Sequence, residues 1–221
     1  MYRITRRATV AAFAALTLAA CGAADTSSAQ SDGSGANGVA LTDITLGSDD
    51  APVTVVEYAS WTCPACLQFH NDVMPTVKSD YVETGKVKFV FREFPTAPAN
   101  VSVAGFALAR CAGEDQYYNV IDDLFMAQTN ILNLARSGGD IEGALRSIAS
   151  SYGIQGDSFG ECLANPDVTY AISESVMKGD SQGVNSTPTV FVNGEQLQGF
   201  DWRSADGMRA VLDAELGETD S

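Results

Sequence analysis

Two cysteines three positions apart, Cys63 and Cys66, are the residues of this sequence best able to do chemistry. They close the stretch Glu57-Tyr58-Ala59-Ser60-Trp61-Thr62-Cys63-Pro64-Ala65-Cys66, in which an apolar run leads directly into the pair. Thiol–disulfide exchange needs one accessible, activated thiolate and a second thiol near enough to resolve the mixed disulfide. Pro64 suits the first position of a helix, where its missing N–H costs nothing, so Cys63 is expected at a helix N-terminus. Free backbone N–H groups and the helix dipole favour a thiolate there. Such a cysteine titrates at about 3.5–7.5 instead of about 8.5. Cys66 falls on the same helical face with its Cβ about 5–6 Å away, and Phe69 and Val73 beside it turn it inward. Cys63 is therefore the expected nucleophile and Cys66 the resolving thiol.

The flanking pattern supplies elements to hold that pair. Val53 to Tyr58 is a β-branched run that reads as a buried strand. From Pro64 to about Tyr81 the period becomes helical, with Leu67, His70, Met74, Val77 and Tyr81 on one stripe. Pro75 lies inside that helix and is expected to kink it. Lys86 to Phe94 reads as a second strand, and Ile44 and Leu46 alternate as a short one before the first. Residues 96–183 look almost wholly helical. Val101, Ala104, Leu108 and Cys111 share one face there, and Tyr117, Val120, Ile121, Leu124 and Phe125 share another. Thr189 to Val192 is strand again, Asn193-Gly194 a hairpin turn, Glu195 to Phe200 a return strand, and Arg203 to Leu216 a last helix. The order is βαβ, a helical block, then ββα.

The active stretch, followed by Phe69-His70, resembles the active-site segment of DsbA-like oxidoreductases of the thioredoxin superfamily. Val184-Asn185-Ser186-Thr187-Pro188-Thr189-Val190-Phe191-Val192-Asn193-Gly194 is similar to that family's cis-proline loop and hairpin. The resemblance covers residues 41–217 and implies an α/β thioredoxin fold with a helical insertion at about 96–183. It implies a cis Pro188 and a Thr187 backbone that docks an extended substrate beside Cys63, with Pro64 and Ala65 also facing substrate. It assigns Glu57 to the buried acid beneath the resolving cysteine, where a raised pKa lets a carboxyl exchange the proton of Cys66. The strongest oxidants of the family carry histidine between the cysteines. Ala65 offers neither charge nor donor, so a milder potential is expected, intermediate within about −120 to −270 mV. The implied activity is thiol–disulfide exchange on unfolded or reduced exported proteins, with a DsbB-like or DsbD-like membrane redox partner. No organic cofactor or metal is required. The alternative is a thiol reductase or copper-handling protein, since Cys63, Cys66 and His70 form C-x2-C-x3-H, three candidate soft ligands. A structural zinc site would want a fourth ligand at matching spacing. A non-catalytic surface lipoprotein is a further rival, disfavoured because both cysteines and the Thr-Pro pair are kept.

Composition and the N-terminus complete the expectation. With 28 acidic against 13 basic residues and a net charge of −15, no basic stripe is available for nucleic acid. Arg3, Arg6 and Arg7 precede the uncharged run Ala8–Ala20, which is too short to span a membrane permanently and reads as a signal peptide over 1–20. Leu18-Ala19-Ala20-Cys21 resembles a bacterial lipobox, making Cys21 the expected lipidation site, and 21–40 reads as a Gly/Ser-rich spacer. A periplasmic, membrane-tethered domain follows as the expectation. Export favours disulfides. Cys111 and Cys162, both on apolar faces of the inserted block, are expected to bridge, for about 4 kcal/mol in the chain-entropy account.

Overall fold

The computed structural model of the protein describes residues 39–217. The signal peptide, Cys21 and nearly all of the spacer expected above lie outside the described residues. Packing begins two residues inside the stretch read as spacer. Val39 and Ala40 are buried, and the Ala40 carbonyl accepts a hydrogen bond from Arg110 Nη1 at 2.6 Å.

The architecture is α/β. A five-stranded sheet has β2 (Val53–Ala59) at its centre, in the order β1–β3–β2–β4–β5. β3 (Val87–Glu93) runs parallel to β2 with Glu57 opposite Phe91, and β4 (Thr189–Val192) runs antiparallel with Glu57 opposite Val190. β1 (Thr45–Leu46) and β5 (Glu195–Gln196) cap the edges as two-residue strands. Burial on both faces explains why β4 (TVFV) is an unbroken buried run, while β2 and β3 place polar side chains such as Thr54, Lys88 and Arg92 at their half-buried positions. The hairpin turn stands at Asn193-Gly194, both with positive φ (49° and 86°). The return strand stops at Gln196, short of the expected Phe200. Beyond it the chain enters a 3-10 turn at Asp201–Arg203 and then α8 (Ala205–Leu216), whose N-cap Ser204 accepts from Gly207 N–H.

The helix after β2 is not continuous. α1 (Pro64–Asp72) ends before Val73, a short α2 covers Met74–Thr76, and a π-helical stretch runs Val77–Val82. Pro75 has no N–H to give the preceding turn, which is why regular helix cannot run through this point. The inserted block comprises α3 (Ala99–Cys111), α4 (Glu114–Ser137), α5 (Ile141–Ser151), α6 (Asp157–Leu163) and α7 (Pro166–Ser181). It is bonded to the sheet as well as packed on it. Buried Glu93 on β3 pairs with Arg110 of α3 at 2.8 Å and accepts from the Tyr117 hydroxyl of α4 at 2.9 Å. Cys111 and Cys162 are joined by a disulfide that ties α3 to α6. Among the described residues no helix is long and apolar enough to cross a membrane.

Candidate active site

Cys63 is the N-cap of α1, extended at φ −86° and ψ 122°, with Pro64 at the first helical position. Its sulfur is half-buried, while Cys66 one turn on is fully buried and both thiols are unbridged. Pro64 and Ala65 between them are exposed. The loop that delivers Cys63 is held from beneath. Trp61 is buried and donates its indole N–H to the Ser102 carbonyl of α3 at 2.8 Å. Gly105, one turn further on α3, permits that approach, since a Cβ there would overlap the indole. Ser60 bonds Thr62 Oγ1 and Ser102 Oγ, both at 2.9 Å, and Thr62 Oγ1 lies 3.0 Å from Thr96 Oγ1.

Electrostatics separate the two thiols. The Cys63 pKa is lowered to about 5, first by the hydrogen bond from the Cys66 thiol. Burial opposes this, and Thr187 and the backbone N–H groups of Cys66 and Ala65 add to it. The helix N-terminus thus contributes as expected, but behind the partner thiol. The Cys66 thiol is pushed far up by burial, by its bond to Cys63 and by the Glu57 carboxylate. At neutral pH one sulfur is a thiolate and the other holds its proton.

Glu57 is buried at 3% exposure on the central strand. Burial, then the negative charge of Cys63, raises its pKa to about 8, and its Oε1 has no hydrogen-bond partner. On the neighbouring strand's loop, Thr187-Pro188 is a cis peptide, and the Cys63 sulfur lies 3.5 Å from the Thr187 carbonyl oxygen, which accepts from it while the thiol is protonated. Pro188 is buried, and Thr187 is partly exposed beside the sulfur. Ala97-Pro98 is a second cis bond that the sequence reading did not anticipate.

Gln128 lies outside the sequence expectations, while His70 is the packed histidine near the site that its place on the apolar stripe suggests. Gln128 of α4, 2% exposed, donates through Nε2 to the Trp61 carbonyl at 2.6 Å and the Cys63 carbonyl at 3.0 Å. The signal was present: Gln128 continues the apolar stripe through Tyr117, Ile121 and Leu124, and a polar side chain on such a stripe needs a buried partner. His70 faces away from the thiols. Its ring stacks on Phe125 at 4.5 Å, with Nε2 3.6 Å from Asp122 Oδ1. Among the described residues no three His, Cys, Asp or Glu side chains converge in a way that could hold a metal ion.

Comparison with known proteins agrees with this geometry. Residues 40–214 match the family model described as Thioredoxin. The chain is 27% identical over 178 residues to a Rickettsia bellii protein provisionally named a protein-disulfide oxidoreductase, over 80% of this chain and 66% of that protein. It thus spans just under two thirds of that relative's length. Disulfide bond formation protein D of Bacillus subtilis is 26% identical, covering 77% of this chain and 76% of its own. The crystal structure of Wolbachia pipientis alpha-DsbA1 superposes with a TM-score of 0.69 at 26% identity, covering 80% of this chain and 92% of that one.

Proposed function

The chain belongs to the thioredoxin family and is DsbA-like within it, and we propose that it catalyses thiol–disulfide exchange on exported proteins, chiefly disulfide formation. One observation carries this most directly. A half-exposed thiolate at Cys63 sits over a buried, protonated Cys66 and 3.5 Å from the Thr187 carbonyl of a cis-proline loop. A substrate thiolate attacks the Cys63 sulfur of the oxidised pair, and Cys66 leaves and takes a proton from Glu57. A second substrate thiolate then displaces Cys63, which departs readily because its thiolate is stabilised. Thr187 and Pro188 hold the substrate backbone, and Pro64 and Ala65 form the surface it crosses. The pair performs this chemistry with no cofactor or metal. A membrane redox partner of the DsbB or DsbD kind reoxidises or reduces it.

The periplasmic setting and the tether rest on the N-terminal sequence: three arginines, the apolar run Ala8–Ala20 and Cys21 in a lipobox-like context. Recovery of the mature chain in the detergent phase with a diacylglyceryl mass on Cys21 is the expected result. The reductase or copper-handling alternative has less behind it, because His70 is engaged with Asp122 and Phe125 and not with the cysteines.

The function is tested by oxidative refolding of a reduced, unfolded disulfide protein with catalytic amounts of the oxidised enzyme. The wild type is expected to speed recovery of native disulfides, and Cys63→Ser to be inert. Equal rates with and without the enzyme would defeat the proposal.

A further inference from the structure

Glu57 can lend a proton to Cys66 only if it recovers one. It is 3% exposed, and the strands beside it place Phe91 and Val190 opposite it. Its Oε1 accepts no hydrogen bond. Beside the carboxyl lies a small internal void with room for about one water molecule. Its polar lining is Glu57, His70, Lys78, Tyr118 and Asp122, and the rest is apolar. The Tyr118 hydroxyl is committed, donating to Ile44 O at 2.8 Å and accepting from Phe91 N–H at 3.1 Å.

The other three reach solvent. His70, Lys78 and Asp122 keep 18%, 29% and 35% of their side-chain surface exposed. Asp122 binds Lys78 Nζ at 2.8 Å, and its Oδ1 lies 3.6 Å from His70 Nε2. The void is thus lined by Glu57, whose Oε1 is unpartnered, and by His70, whose side chain keeps part of its surface in solvent. A lone buried carboxyl oxygen is costly, and one water bonded to Glu57 and a neighbour satisfies it.

We propose that His70, oriented by Asp122 and Lys78, passes protons between bulk solvent and Glu57 through a water seated in this void. The inference rests on the exchange reaction proposed above and adds the route its proton takes. In the oxidising direction the substrate sulfur bonds to Cys63, the S–S electron pair departs on Cys66, and Cys66 takes the Glu57 proton. The Glu57 carboxylate then takes a proton from the water, and the water takes one from a ring nitrogen of His70 as the other ring nitrogen accepts one from solvent, so the ring stays neutral overall. Electrons move only between the substrate and the cysteine pair. His70 acts through Glu57 and touches neither sulfur, so it is a positioning residue for the proton. Burial lowers its pKa, Asp122 raises it and Lys78 lowers it again. The ring is thus neutral at working pH and able to accept or donate. Glu57 in turn faces Cys63, Cys66 and Tyr118.

The test is stopped-flow reaction of the oxidised full-length protein with a reduced dithiol peptide, followed by intrinsic tryptophan fluorescence from about pH 5 to about pH 9. His70→Ala leaves an imidazole-sized space. Its rate is expected to fall about tenfold near neutral pH, with the equilibrium with glutathione unchanged, and to recover when imidazole is added. Asp122→Asn, which keeps the ring, is expected to slow the same step by about threefold and to shift its pH profile. A His70→Ala rate within about twofold of wild type across that range, or a loss that imidazole does not restore, overturns the proposal. Should His70→Ala fail to fold, an Asp122→Asn profile identical to wild type overturns it. A wild-type protein that does not react with the peptide at all contradicts the exchange function itself, a different result from a fast His70→Ala variant.

Discussion

Cys63 owes its acidity first to a hydrogen bond from the thiol it will later pair with, then to Thr187, and only after these to the N–H groups of the N-terminus it caps. The spacing of the two cysteines and Pro64 made a helix-capping thiolate legible in the sequence. The order of causes was not, because it depends on how deeply Cys66 is packed. Glu57 could be placed on a buried strand from its neighbours, whereas its empty Oε1 and the void beside it belong to tertiary packing. Its titration has a defined sign. The folded state keeps a proton up to about pH 8 that the unfolded chain releases near the ordinary value of 4.5. Its contribution to stability is therefore full below about pH 4.5 and lost as pH rises through about 8. Glu57→Gln should remove that loss. Calorimetry of the oxidised protein, where burial alone raises the carboxyl, is expected to show the variant gaining on wild type as pH rises above about 4.5. A constant difference would contradict the buried, titrating carboxyl. The same variant should slow the release of Cys66 by about 10²-fold or more, since it can neither give nor take the proton.

At the scale of elements, periodicity identified the strands and helices well, and the departures have local causes. Pro75 interrupts the first helix by removing a donor, leaving α1, α2 and a π-helical turn in place of one rod. The return strand stops at Gln196 because the chain turns into the 3-10 segment that buries Trp202 against Phe69. The inserted block reads from sequence as a cover. In the structure it also builds the site, through Ser102 and Gly105 of α3 and Gln128 of α4. Gln128→Ala leaves the Trp61 and Cys63 carbonyls without their buried donor, which costs about 1–3 kcal/mol. The expected outcome is a lower thermal midpoint together with slower peptide exchange, with Gln128→Glu failing to restore either. Wild-type kinetics in Gln128→Ala would show that α4 only packs on the loop.

Across the whole molecule, the sheet, the insertion and the cis-proline loop converge on one pair of sulfurs, and the second disulfide stands apart from it. Cys111–Cys162 closes the helical block, its ends 51 positions apart in sequence. Replacing both with serine should cost about 4 kcal/mol in the chain-entropy account. Chemical denaturation is expected to show that loss while exchange at Cys63 persists. An equal loss of activity and stability would mean the bridge also shapes the site. The overall architecture was legible because two separated motifs, Cys63–Cys66 and Thr187-Pro188, bracket the helical block. The contact between them across the sheet, 3.5 Å from sulfur to carbonyl, appears only in the fold. The acidified Cys63 stabilises the reduced pair, and Ala65 withholds the extra donor of the strongest oxidants. The most direct test of a moderately oxidising exchange site is the reduction potential of Cys63–Cys66, measured in glutathione buffers. A value lying clearly between about −120 and −270 mV is expected. A value at or below about −270 mV, or a pair that never equilibrates with glutathione, would contradict it.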